Sequence, residues 1–296
     1  MDAKGGHVSV VQARAKHGMS ATVGDPVGQK PERGMAPRVP VVVSDRVWWL
    51  VSLLIVPATW LLLVGLNVVS RQFLPSPAQV FAAAAEMMVS GELLRHAGLS
   101  FVRIIVGFVV GAVIGTLLGI ANGRYRPLAA VIEPLIDVLR HISPVAWIPL
   151  AILWFGLGET SKIFIIALGS FVPSFINASD GIRGVDKRLI CAAQSLGANR
   201  VTLFRRVLLP ATTPNIFTGL VTGMGNATRF VIAAELTGAF AGLGFMAMRA
   251  RETSRTDIIF VAIIAMALVG LINNGAIMFA QRRLLRWHVG FPKTSA

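Results

Sequence analysis

The chain is poor in charge, poorer still in acids, and nearly devoid of the residues that build redox or metal centres. Only 14% of its 296 residues are Asp, Glu, Lys or Arg, where a soluble domain carries about 25%. One cysteine, Cys191, leaves no partner for an intrachain disulfide and no second thiol for a metal or redox pair. No basic stretch is interleaved with aromatic residues that could stack bases, so nucleic acid is not an expected partner despite a formal charge of +14. No Gly-Lys dipeptide occurs, which excludes a phosphate-cradling P-loop in this chain. No catalytic, metal-binding or cofactor-binding set is expected. What is abundant is apolar: 54% of residues are hydrophobic and the mean hydropathy is +0.69. That excludes an ordinary soluble enzyme and points to a multi-spanning membrane protein.

Residues 1–46 hold six Gly and four Pro with mixed charges and no periodic apolar pattern, which predicts a disordered tail. No short apolar run with a small-residue cleavage site lies in the first 30 residues, so the tail does not read as a signal peptide. Apolar runs follow at Val47–Val68, Ile104–Ala121, roughly 128–155, Ile163–Ser179, roughly 216–238 and Ile258–Ala280. A crossing takes about 20 residues, and lipid tolerates no exposed irregular backbone, so an all-α membrane protein with six transmembrane helices is expected. The third and fifth runs are the least clean: Glu133, Asp137 and Arg140 fall in one, Arg229 and Glu235 in the other. Lys and Arg number 19 in the tails and the even-numbered loops but 5 in the odd-numbered ones. Cationic residues are retained on the cytoplasmic side, which places both termini there.

The stretch between the fourth and fifth runs, Asp186 to Pro210, is the most informative. Asp186 can cap a helix through Leu196, Gly197 supplies a left-handed stop, and Asn199 caps a second helix that Pro210 interrupts. Leu189, Ile190, Ala193 and Leu196 recur at helical spacing, as do Val201, Phe204, Val207 and Leu208. An apolar stripe on each short helix suits a groove in a partner protein. The competing accounts are a solvated basic loop and a DNA-binding helix-turn-helix.

These residues resemble the permease subunits of bacterial ABC importers, and closely the nitrate/sulfonate/taurine-type family. Ala192, Ala193, Gly197, Leu209 and Pro210 match the cytoplasmic motif of that family: Glu-Ala-Ala, three residues, Gly, then about a dozen residues ending in Leu-Pro. Leu74-Pro-Ser-Pro77, the run Pro144 to Gly156, Ala233-Ala-Glu-Leu236 and Arg255-Thr-Asp257 extend the resemblance over nearly all of 47–287. Two departures stand out: Cys191 replaces the motif's opening Glu, and Lys187 the proline common after the cap. The resemblance implies a type I ABC importer permease fold, in which a coupling helix between helices 4 and 5 docks on a separate ATPase. It further implies a transmembrane permease domain over 47–287 with its coupling loop at 180–212, and a cytoplasmic C-terminal tail at 288–296.

The partners it implies are two ATP-binding cassette subunits, which hold ATP and Mg, a periplasmic or lipid-anchored solute-binding protein, a second copy of the chain, and membrane lipid. The location would be the bacterial cytoplasmic (inner) membrane. The cargo would be a small anion such as a sulfonate, taurine or nitrate. Import of a pyrimidine vitamin precursor, or an ion-gradient-driven secondary transporter, is the alternative.

Inside the membrane, Gly107, Gly111, Gly115 and Gly119 recur every four residues, giving a flat face for static helix packing or for a sliding contact. Glu133, Asp137 and His141 share a helix side with Arg140 beside them, which reads as a charge-balanced interfacial cluster. Pro144, Trp147 and Pro149, followed by Gly156 and Gly158, predict a broken helix of the kind that lines a pathway. Arg229, near the middle of the fifth run, either attracts an anionic substrate or pairs with an acid of another helix. Glu235 is expected toward the outer end, at a gate or subunit contact. The sequons at Asn177 and Asn226 fall in or beside spans and are discounted as glycosylation sites.

Overall fold

The computed structural model describes residues 45–66, 70 and 72–285; the expected C-terminal tail 288–296 and all of the N-terminal tail but its last two residues lie outside them. The chain divides into two compact units, 1–52 and 53–296. Every regular element among the described residues is helical: α1 (Asp45–Gly65), α2 (Pro77–Val89), α3 (Glu92–Arg124), α4 (Arg126–Leu139), a 3-10 turn (Pro144–Trp147), α5 (Ile148–Phe155), α6 (Glu159–Arg183), α7 (Lys187–Ser195), α8 (Arg200–Leu203), a π turn (Phe204–Leu208), α9 (Leu209–Leu236), α10 (Leu243–Glu252) and α11 (Thr256–Leu284). All of them after α1 belong to the second unit.

Three of these, α3, α6 and α11, are each long and apolar enough to cross a membrane, and α4 with the 3-10 turn and α5 makes a fourth if the bent pair is one span. Their outward side chains are apolar: Val102, Val109, Val113 and Leu117 on α3, and Ile263, Leu271, Ile272 and Phe279 on α11. Water would not tolerate such contiguous stripes on a monomer, whereas lipid does. Two helices lie outside the expected runs. α2 starts at a capping box in which Ser76 and Gln79 satisfy each other's backbone N–H groups, and buries Val80, Ala83 and Met87. α10 follows α9 and buries Leu243 and Met246.

The glycine face of α3 meets α6 within the same chain. A methyl group at Gly107 would lie 2.6 Å from the Ile166 side chain, one at Gly119 2.9 Å from Ala178, and one at Gly123, a fifth member of the series, 2.7 Å from Ile182. Gly111 and Gly115 face the carbonyls of Ala167 and Phe171. Numbers rise together on the two helices, so α3 and α6 run parallel in contact for about 24 Å. Parallel neighbours require the chain between them to travel back, which is the task of residues 125–158. The run over 128–155, expected to be a broken helix, is two helices bent by 92° at a short break. Pro144 disfavours helix at Ser143 and starts the second arm. α9 packs on α6 beside α3 and antiparallel to α6: Gly169 faces Phe230, and Gly181 faces Thr212 and Asn215.

Candidate functional site

At one end of the bundle, α7, α8 and the π turn form a compact appendage. Asp186 accepts a hydrogen bond from the Arg188 N–H at 2.8 Å and starts α7. Gly197 (φ 79°) ends it, with Ala198 N donating to Ala193 O and Gly197 N to Gln194 O, a Schellman closure that needs the left-handed residue. Asn199 accepts from Thr202 N and starts α8. Ile190, Ala193, Phe204 and Val207 pack on buried Ile182, Val185, Leu203 and Leu208. That inner face makes the segment a fixed part of the fold and sets aside the account of a merely solvated loop.

The expected stripe thus divides: Ile190 and Ala193 turn inward, while Leu189 and Leu196 stay 53% and 89% exposed. Together with exposed Ala192 they form one outward apolar face, beside exposed Cys191. The second helix is not interrupted by Pro210. Leu209 N donates to Phe204 O across the π turn, the helix absorbs the residue that lacks a donor, and Leu209 and Pro210 open α9 in unbroken helical backbone.

The second feature is a cavity of about 550 Å³ at the break between α4 and the 3-10 turn, where His141, Ser143 and Pro144 face Pro173 and Asn177 of α6 and Asn226 of α9. Pro173 has no N–H, so the Gly169 carbonyl one turn earlier loses its helical donor. Asn226 Nδ2 reaches across from α9 and donates to that carbonyl at 3.3 Å, while Asn177 donates to Pro173 O at 2.8 Å. Both sequon asparagines are thus spent on bent backbone. Asn226→Leu should lower stability by about 1–3 kcal/mol by orphaning the carbonyl, and cost much less in a Pro173→Ala background, where residue 173 regains its donor. Thermal unfolding in detergent measures both, and an equal cost in the two backgrounds would refute the assignment.

Of the four expected pathway residues only Pro144 borders this cavity. Trp147 packs on Ile148, Ala151, Ile165 and Ala234, and Pro149 is exposed. Arg229 is exposed one position from Phe230, which lines the cavity. No ion pair or side-chain hydrogen bond within the described residues holds it, so the expected pairing with an acid of another helix is not made there. Glu133 pairs with Arg183 of α6 and accepts from Asn122 of α3, and Asp137 pairs with Arg140.

The opposite end holds a charged cluster the sequence did not announce. Arg103 of α3 grips Glu159 of α6 with two hydrogen bonds of 2.6 and 2.7 Å, and donates to Glu235 of α9 at 2.7 Å. Glu235, whose side chain has no exposed surface, also accepts from Ser100 at 2.7 Å and from Gly244 N at 2.8 Å. Leu243 N donates to Ser100 Oγ and Gly242 N to His96 Nδ1. Glu235, expected at a gate or a contact between subunits, is closed inside one chain, where it accepts from donors on two helices, α3 and α10. The signal in the sequence is a cation, Arg103, at the edge of one apolar run and an acid, Glu235, inside another.

Residues 107–286 match the family model described as binding-protein-dependent transport system inner membrane component. The chain is 36% identical over 281 residues to a putative aliphatic sulfonates transport permease of Bacillus subtilis, covering 94% of this chain and 98% of that one. It is 35% identical to the taurine transport system permease of Escherichia coli, over 80% and 88% of the two chains, and 37% identical to a riboflavin transport system permease of Chloroflexus aurantiacus, again over 80% and 88%. In fold it is similar to a chain of the inward-facing methionine ABC transporter, with a TM-score of 0.53, 18% identity and coverage of 64% and 96%. A chain of an amino acid ABC transporter solved with histidines gives 0.57, 17%, and 67% and 97%.

Proposed function

Since the chain belongs to the binding-protein-dependent transport system inner membrane component family, we propose that it is the membrane-spanning subunit of an ATP-driven importer, moving a small anionic solute by alternating access. On this reading there are six spans: α1, α3, the broken pair α4 and α5, α6, α9 and α11. Both termini and α7 lie in the cytoplasm, and a second copy completes the pathway. ATP and Mg reside on two partner ATPase subunits, and a solute-binding protein sits on the far side. The observation that carries the proposal is the outward face of Leu189, Ala192 and Leu196: an apolar, unfilled surface on a braced helix, in a loop that the count of Lys and Arg along the sequence assigns to the cytoplasmic side. It suits a groove in a soluble partner. Cys191 in place of an acid removes one ionic contact and leaves that surface intact.

Sulfonate and taurine permeases among the relatives, together with Arg229 unpaired within the described residues, favour an organic oxyanion over a neutral vitamin. An ion-coupled transporter is disfavoured because Glu235 and Glu133 are both engaged by arginines. One experiment separates the parts of this reading. A bifunctional crosslinker anchored at Cys191 in native membranes should capture a nucleotide-binding subunit, and Arg229→Gln should abolish solute uptake while leaving that capture unchanged. Efficient labelling of Cys191 with no ATPase captured refutes the coupling assignment; undiminished uptake by the Gln variant refutes only the anion site.

A further inference from the structure

A cavity of about 710 Å³ opens between the last turns of α3 and the start of α8. Its walls are apolar, from Leu117, Ile120, Val201 and Phe204, and Arg124 and Arg200 stand in its lining. No acid lines it. Among the described residues neither guanidinium makes an ion pair, and Arg124 rests over the Tyr125 ring at 5.7 Å. Leu117 is 62% exposed and Val201 61%, so the apolar wall continues outward onto the lipid-facing stripe of α3.

Two unpaired arginines above a hydrocarbon-lined groove that opens to the bilayer have one complementary ligand: an anion with a tail. We infer that this groove binds an anionic phospholipid, its phosphate between Arg124 and Arg200 and an acyl chain along Leu117, Ile120 and Phe204. Arginine matches phosphate through paired N–H donors, and basic pockets beside spans on the cytoplasmic side favour anionic headgroups. The outward face of α7 does not line this groove, so an ATPase docked there would leave it open. A lipid seated here would join α3 to the segment that carries α7. The inference needs the chain to lie in a membrane, and stands whichever solute is carried.

The test is native mass spectrometry of the intact permease complex released from bilayers of phosphatidylglycerol and phosphatidylethanolamine. One phosphatidylglycerol per permease chain should survive detergent exchange. Arg124→Gln with Arg200→Gln should retain it about twenty-five-fold less, taking each cation as about five-fold, while Arg124→Lys with Arg200→Lys keeps most of it and phosphatidylethanolamine is unaffected. Val201→Trp, which fills the groove and keeps both charges, should give the same loss and serves if the Gln pair fails to fold. Retention of phosphatidylglycerol at the parent's level by both the Gln pair and the Trp variant overturns the inference. So does displacement by millimolar inorganic phosphate, which marks a site for the free anion, and so does loss of the second copy with lipid unchanged, which marks a contact between chains.

Discussion

Arg103→Ala should nearly abolish the folded protein, read as monodisperse material after detergent extraction and as its thermal midpoint. The substitution leaves Glu235, with no exposed side-chain surface, charged and facing only the Ser100 hydroxyl and the Gly244 amide. Breaking one side of a buried pair costs about 3–5 kcal/mol, because the survivor keeps its desolvation penalty, and a whole domain is stable by only about 5–15 kcal/mol. Lysine in its place keeps the charge but cannot bridge Glu159 and Glu235 together, so Arg103→Lys should fall between. Replacing both partners, Arg103→Met with Glu235→Met, should recover part of the loss. A single alanine variant as stable as the parent would show that the cluster holds nothing together.

Gly111→Leu should be as damaging, through shape instead of charge. Its Cβ would fall on the Ala167 carbonyl and the Ser170 hydroxyl. A side-chain tip can rotate away, but a helix backbone cannot, so α3 and α6 must part along their parallel seam. Overpacking that a core cannot absorb costs about 3 kcal/mol or more. Gly98, on the same helix, has nothing within 4 Å of its would-be Cβ, and Gly98→Ala should be neutral or stabilise by up to about 1 kcal/mol. The pair of variants isolates contact from helix propensity: if Gly111→Leu extracts and unfolds like Gly98→Ala, the seam is not tight.

Local chemistry makes parts of this molecule readable in advance. Asp186, Gly197 and Asn199 act through hydrogen bonds to residues two to five positions away, so the ends of α7 and the start of α8 follow from the sequence alone. The four-residue glycine repeat exposes a flat face, though only the structure supplies α6 as its neighbour and Gly123 as a fifth member. The features that escape the sequence depend on partners far along the chain. Arg103 is 132 residues from Glu235, and nothing near either predicts the other. Asn226 reads as a discounted sequon because its use, donating to the Gly169 carbonyl that Pro173 leaves open, arises 57 residues earlier. Pro210 misleads for a subtler reason: proline stops a helix only if the preceding turn keeps its regular spacing, and here that turn widens by one residue.

That widened turn has a mechanical consequence. Arg200 to Leu236 is continuous helical backbone about 55 Å long along its path, with Pro214 inside it, and near its midpoint Gly219 seats against α6, where a methyl group would lie 3.0 Å from the Pro173 carbonyl. Such a seat is a fulcrum. A rotation of about 5° about it carries each tip through roughly 2.4 Å in opposite directions, a figure that follows from helix length alone. A push delivered beside α7 would then emerge inverted at Glu235, on the far side of the bundle.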